Sequence, residues 1–339
     1  MGAEVIKVEE QRNPDPVRQY PPFREGISWL FLSLNAGKKH VEYDAQNPIH
    51  REALQNLVAS ADALVEQFRP GTMDKMQLGY ERLSALNPRL IYVSVSGYPE
   101  GSEAFLEAGH DINYMAECGA LAFIKDASGQ PVLPAFQAAD IVGGSFGLVM
   151  AVMAGLLERE RTGRGRHIRV AMTSLARQLC FLPALWQQLN GGLEGYLLAG
   201  NMPNYGIYAT ADGYVALGAL EPKFWMAFCE AMEKPNWATR LFTDSDGGQI
   251  LRKEVADFLR AQTTAQVLER CRGKDCCLSP VREKAIDVSA PSVADGEYHT
   301  WPVNNGQVLR IPTFALGDKR IGNFIVPGQD NLLFGFQSE

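Results

Sequence analysis

Cysteine is sparse and unpaired in pattern: the six residues Cys118, Cys180, Cys229, Cys271, Cys276 and Cys277 are scattered through 339 positions. They form neither the regular framework of a disulfide-stapled secreted domain nor the Cys-x-x-Cys pairs of a zinc site, which implies reduced thiols and a cytoplasmic or organelle-lumen compartment. Basic charge is also in deficit. A formal net charge of −7 argues against broad electrostatic attraction to nucleic acid or to an anionic membrane surface. The opening residues Met-Gly-Ala-Glu-Val-Ile-Lys match neither a signal nor a transit pattern, and no apolar run is read as approaching the roughly twenty residues of a membrane span. Internal repeats and low-complexity tracts are absent, and so is a phosphate loop: Lys38 and Lys39 in Asn-Ala-Gly-Lys-Lys lack the spacer between glycines and the following Ser or Thr.

What is present is ample apolar material. At 46% hydrophobic residues the chain can bury a large core, and its length implies roughly two domains. Short β-rich runs at 4–8, 40–44, 63–68 and 90–96 are separated by segments long enough for helices or loops, an alternation that predicts an α/β protein with a parallel, Rossmann-like sheet. The apolar segment 141–160 ends in Arg-Glu-Arg-Thr-Gly-Arg-Gly-Arg, whose basic residues and glycine suit a helix C-terminus, and 167–172 reads as a further strand. Beyond Gly191 the texture changes to Gly and Asn clusters, a hairpin at 207–217 turning at 211–213, and mixed helices. The expected division is therefore a large α/β domain over 1–188, a smaller α+β domain over 189–285, and a C-terminal segment, 286–339, returning to the first.

Chemistry concentrates in two segments. Gly-His-Asp-Ile-Asn-Tyr at 109–114 and Ala-Ala-Asp-Ile-Val-Gly-Gly-Ser at 138–145 set His110 and Asp140 each in a Gly-bearing context that can open a helix or turn, with free backbone N–H groups nearby. Two unlike proton carriers held so suggest acid–base work beside a developing negative oxygen. A lone histidine is nevertheless more often structural, and Asp140 serves equally well as a helix N-cap. Glu221, before Pro222, reads as a first-turn acid. Arg69 in Phe-Arg-Pro-Gly follows a predicted strand, where α/β proteins gather ligand groups, and Lys75 lies within reach of it. Met115, Phe123, Phe136 and Trp225 are candidates for an apolar pocket, with core packing the commoner fate of such residues.

Taken in order, Met-Gly-Ala-Glu-Val-Ile-Lys-Val-Glu, Phe-Arg-Pro-Gly-Thr, Leu-Gly-Tyr-Glu, Asn-Pro-Arg-Leu-Ile-Tyr-Val-Ser-Val-Ser-Gly and Glu-Arg-Thr-Gly-Arg-Gly resemble the family III CoA-transferases, the group that includes formyl-CoA transferase and alpha-methylacyl-CoA racemase. The resemblance runs from Met1 to about Ala285. It implies that Asp140 is either the nucleophile of a transferase, passing through an aspartyl-CoA intermediate, or the acid/base of a racemase opposite His110. Glu221 in Gly-Ala-Leu-Glu-Pro-Lys-Phe-Trp resembles the racemase segment whose Glu partners that histidine. Together His110 and Glu221 point to the racemase subgroup, an isomerase that interconverts 2-methylacyl-CoA epimers by a two-base proton transfer through a thioester enolate.

The same resemblance implies CoA contacts from Arg69, Lys75, Arg18 and Tyr114, an acyl-CoA thioester as partner, an intertwined homodimer, and no cofactor or metal beyond the coenzyme A of the substrate. Family members begin with a strand and helix ahead of the Met-Gly-Ala-Glu segment, whereas this sequence opens inside that unit. Where relatives read Leu-Asp-Leu-Lys it has Tyr43-Asp44-Ala45-Gln46, losing one phosphate contact. Asp275–Val281 resembles the family's Asp-x-Cys-x-x-Pro-Val segment, and after 285 only Pro327-Gly328 matches. A non-catalytic acyl-CoA-binding relative is the third reading that these departures leave open.

Overall fold

Parallel strand pairing is what the alternation of β-rich runs demands, and a computed structural model contains it. The structure describes residues 3–24, 26–35, 37–126, 128–193, 196–243, 248–284, 298–303 and 307–312. The chain divides into two units, Met1–Gln178 with Val288–Glu339, and Leu179–Asp287. Sequence texture had set the first boundary ten residues later.

In the first unit, β1 (Ile6–Glu10) pairs in parallel with β4 (Lys39–Tyr43), and between them a two-residue hairpin forms from β2 (Phe23–Arg24) and β3 (Ile27–Ser28). A second group, β5 (Ala63–Glu66), β6 (Ile91–Ser96) and β7 (Arg166–Ala171), is parallel throughout, with β6 central. β5 stops two residues before the predicted end, and just beyond it the Phe68 N–H donates to the Glu66 carboxylate at 2.8 Å. The helices of this unit are α1 (Trp29–Asn35), α2 (Pro48–Ala59), α3 (Thr72–Lys75), α4 (Tyr80–Leu86), α5 (Asp111–Glu117), α6 (Gly147–Thr162) and α7 (Met172–Ala176). α2 begins where Asn47 accepts the Ile49 N–H at 2.9 Å and Pro48 takes the first turn.

The core of this unit lies under β6. Ile91, Val93 and Val95 are buried with Ala151 and Val170, and Leu148, Val152 and Leu156 of α6 pack against them. Burial of each large aliphatic there contributes about 1.5–3 kcal/mol. α6 approaches closely because Gly155 has no side chain: a Cβ would lie 2.7 Å from Ile91 Cγ2. At its end Gly163 adopts a left-handed conformation and its N–H returns to Arg159 O, the stop that the basic, glycine-bearing segment predicts. Arg159, itself buried, reaches back to Asp62 at 2.9 Å.

Together with the turn preceding it, this helix corrects one sequence expectation. Ala139–Thr162 runs for 24 residues and contains an 18-residue window of mean hydropathy 1.8, long and apolar enough by length and composition to cross a membrane. Its apolar character has another outlet in the sheet: one face covers β6 and β7, while Met150, Met153 and Leu157 on the other are exposed.

The second unit is built on the antiparallel order β10 (Leu278–Pro280), β9 (Tyr214–Gly218), β8 (Tyr205–Ala209). The β8–β9 turn falls at the predicted place, with Thr210 N–H donating to Gly213 O. Helices α8 (Phe181–Asn190), α9 (Pro222–Ala231), α10 (Asn236–Thr243), α11 (Gln249–Arg260) and α12 (Thr264–Arg270) complete it. Its core holds Trp225, Phe228, Met232, Leu251, Val255 and Leu259, all without solvent exposure. The first unit also takes in a hairpin of β11 (Tyr298–Val303) and β12 (Gln307–Pro312). The Pro327-Gly328 ending and most of the 286–312 connection lie outside the described residues.

Trp225 anchors the second unit. It stacks on Phe228 with ring centroids 5.6 Å apart, and its indole N–H donates to Trp237 O at 3.3 Å. Trp225→Ala is expected to lower the unfolding free energy by about 3–5 kcal/mol. Urea denaturation measures it, and a loss below about 1 kcal/mol would show that the unit's core is centred elsewhere.

Candidate active site

His110 and Asp140 belong to segments 29 residues apart that one carboxylate joins. His110 is the N-cap of α5, its backbone extended (φ −128°, ψ 177°) and its N–H donating to Asn113 Oδ1 at 3.1 Å. Asp111 follows as the first helical residue, buried at 8% exposure. Its Oδ1 accepts the backbone N–H of Asp140 at 2.9 Å. Asp140 in turn sits in the first turn of a π-helix, Ala139–Phe146, which leads directly into α6. Such wide turns recur at functional positions because they displace a side chain from the regular helical register.

Glycines permit the close packing around this turn. A Cβ on Gly143 would collide with the Met172 carbonyl, so only glycine lets the π-helix rest against α7. Tyr114 closes the other side. Its ring fills the space that Cβ atoms on Gly97 and Gly109 would claim, it meets Tyr98 edge to face, and its hydroxyl donates to Gly109 O at 2.6 Å. Tyr114, named from sequence as a CoA contact, thus has its hydroxyl engaged in holding the loop before His110.

The electrostatics shift Asp140 toward its proton-bound form. Burial raises its carboxyl above the ordinary aspartate value, Asp111's charge adds to that, and His110 opposes both. His110 is exposed. The expectation that backbone N–H groups near Asp111 and Asp140 both face an enolate needs one correction: the Asp140 N–H is taken by Asp111. The N–H groups of Asp111 and Ile112 have no acceptor among the described residues.

The anion-binding candidates separate. Arg69 and Lys75 are exposed and, among the described residues, form no ion pair. Arg69 borders a cavity of about 820 Å³ at the carboxyl ends of β5, β6 and β7, together with Glu66, Ser94, His167 and Ser174. Neither His110 nor Asp140 lines it. Arg18 instead grips Glu9 with two bonds, of 2.6 and 3.1 Å, and lies over the Phe31 ring. Burial alone would raise Glu9, but Arg18, the Asp15 amide and His40 hold it at about 2.

Glu221 belongs to the second unit, as the exposed N-cap of α9 with Pro222 in the first turn. Trp225 and Met115 are core residues, whereas Phe136 is 61% exposed. Among the described residues no group of three or more His, Cys, Asp or Glu is placed to hold a metal ion.

Sequence reasoning missed two features of the site. One is the Asp111 side chain, whose signal was a carboxylate at the first helical position. The other is the polar line across β5–β7, in which Ser94 Oγ lies 2.8 Å from His167 Nε2 and Glu66 borders the same cavity.

A match to the model of CoA-transferase family III extends over residues 1–315. The chain belongs to this family. It is 32% identical to the succinyl-CoA:mesaconate CoA-transferase of Haloarcula hispanica over 88% of its own length and 78% of that protein, and 33% identical to human alpha-methylacyl-CoA racemase over 76% and 69%. A crystal structure of a mutant of Rv3272 from Mycobacterium tuberculosis superposes with a TM-score of 0.79 at 26% identity, covering 96% of this chain and 87% of that one. The protein is therefore an enzyme of the family III CoA-transferase and racemase superfamily.

The cavity wall yields a pH dependence. Burial, with Arg169 beside it, pushes His167 down from 6.5 to about 4 against the pull of Glu100 and Asp74. Between those values the unfolded chain binds the proton and the folded one does not, so stability is complete above pH 6.5 and falls as the pH drops toward about 4. In His167→Gln this part of the acid loss should vanish. Urea midpoints at pH 7 and 4.5 for the two proteins report it, and equal acid losses would contradict it.

Proposed function

We propose that the protein is an acyl-CoA racemase or epimerase acting on 2-methylacyl-CoA thioesters, with His110 and Asp140 as its proton carriers. The observation that carries this reading is the bond that holds the Asp140 turn against the helix His110 caps, which brings two unlike proton carriers to one place, with burial and Asp111 shifting Asp140 toward its proton-bound form. Inversion requires such a pair. Neutral His110 removes the proton at C2, the electrons move onto the thioester oxygen, and protonated Asp140 delivers its proton to the opposite face. An imidazolium and a carboxylate result, and the reverse reaction exchanges the roles.

The enolate oxygen is received by the Asp111 N–H, so negative charge develops against a fixed dipole. Glu221 keeps its assignment as the acid of the racemase segment on the sequence match alone. Arg69 and Lys75 take the CoA phosphates; Arg18 joins them only by giving up Glu9, and Tyr114 contributes through the loop it fixes. No further cofactor is required by these steps.

Two uncovered apolar stripes support the homodimer: Leu182, Leu185 and Leu189 on α8, and Met150, Met153 and Leu157 on α6. Light scattering should return twice the chain mass, and a monomeric mass at micromolar concentration would remove that part of the proposal.

A second reading, transfer of CoA between carboxylic acids, is favoured by the comparable identity to the Haloarcula transferase. It uses Asp140 ionised, as a nucleophile forming an anhydride and then a thioester. One experiment separates the two. Incubation of a single 2-methylacyl-CoA enantiomer in deuterated water should yield C2 label and the opposite configuration, both lost, by at least about a hundredfold, in His110→Ala and Asp140→Ala. Unchanged exchange in those variants, or a covalent adduct on Asp140 together with dependence on a carboxylic acid acceptor, would reject the racemase.

A further inference from the structure

We propose that Asp111 is the positioning residue of this site, its carboxylate holding the Asp140 turn against the helix that His110 caps. This inference rests on the racemase reading above. Asp111 is buried, and no cation pairs with it among the described residues; its carboxylate accepts the Asp140 N–H at 2.9 Å. The carboxylate takes the N–H of a turn 29 residues further along the chain, so its bond serves the contact between the two segments.

Two consequences follow from its position. The first is geometric: residue 140 is anchored through its backbone, which leaves the Asp140 side chain free to meet a substrate. The second is electrostatic: the charge of Asp111 disfavours a second charge on Asp140, which keeps that carboxyl a proton donor at higher pH than it would otherwise be. The groups acting on Asp140 are His110, Asp111 and Tyr114, all from the start of α5; α7, packed on the same turn, contributes only Met172, Thr173, Ser174, Leu175 and Ala176. The Asp111 carboxylate thus couples the two carriers without itself touching substrate, which meets only the backbone N–H of that residue.

Asp111→Asn separates the roles, because the amide oxygen still accepts the Asp140 N–H while the charge is gone. Expected for this variant are an unchanged thermal midpoint, a KM for the acyl-CoA within about twofold, and kcat for C2 exchange reduced by about tenfold at pH 8. The alkaline limb of kcat should move to lower pH, and the titration of the Asp140 carboxyl carbon, followed by NMR in ligand-free protein, should move the same way. Asp111→Ala, losing the anchor as well, should cost more in kcat. If Asp111→Asn leaves both the kcat limb and the carboxyl titration where they are in the native protein, the proposal is overturned. Should the native protein show no C2 exchange, the racemase reading fails, and the titration still decides whether Asp111 governs Asp140: a downward move upholds the coupling and no move rejects it.

Discussion

A single hydrogen bond, from the backbone N–H of Asp140 to the carboxylate of Asp111, ties together two stretches of chain that the sequence keeps 29 positions apart. Around it the neighbouring elements take their places. α5 starts where His110 ends its extended backbone; the π-helix starts where Asp140 is held; α7 lies against that π-helix because Gly143 allows it. The bond is between a buried anion and an amide, stronger than a neutral contact yet without a countercharge. It fixes geometry while leaving an electrostatic imbalance, and the imbalance falls on the one carboxyl of the pair that the racemase chemistry needs in its neutral form.

That imbalance bears on the choice between the two chemistries of the family. A nucleophilic carboxylate works ionised, and burial beside another acid opposes ionisation; a general acid profits from the same surroundings. Family membership follows from the match across residues 1–315 and from relatives of both kinds at similar identity. Because identity does not discriminate between them, the local field at Asp140 has to carry the distinction.

Much of the scaffold was legible beforehand, for physical reasons that can be named. The β-branched runs around Val93 and Val170 allow little besides buried strand, and Gly163 after a basic turn marks a helix end. Other features were hidden. A π-helix has no periodic signature distinct from an α-helix over eight residues, so Asp140 read as a cap rather than as part of a wide turn. Arg18 resembled a ligand contact because it follows the first strand, and nothing in the sequence marks Glu9, nine residues before it, as its buried partner.

The wide turn has a further consequence for how one continuous helical stretch serves two neighbours. A helix closing its hydrogen bonds over five residues accommodates one more residue per loop than an α-helix, so side chains on either side of it are rotated out of the register that a regular helix would impose. Upstream, Asp140 is directed to α5; downstream, Gly147, Ala151 and Gly155 fall along the line that meets the sheet. Deleting a residue inside 139–146 would restore regular winding and set those two allegiances against each other, so the extra residue acts as a phase shifter between the reactive end of the stretch and its structural one.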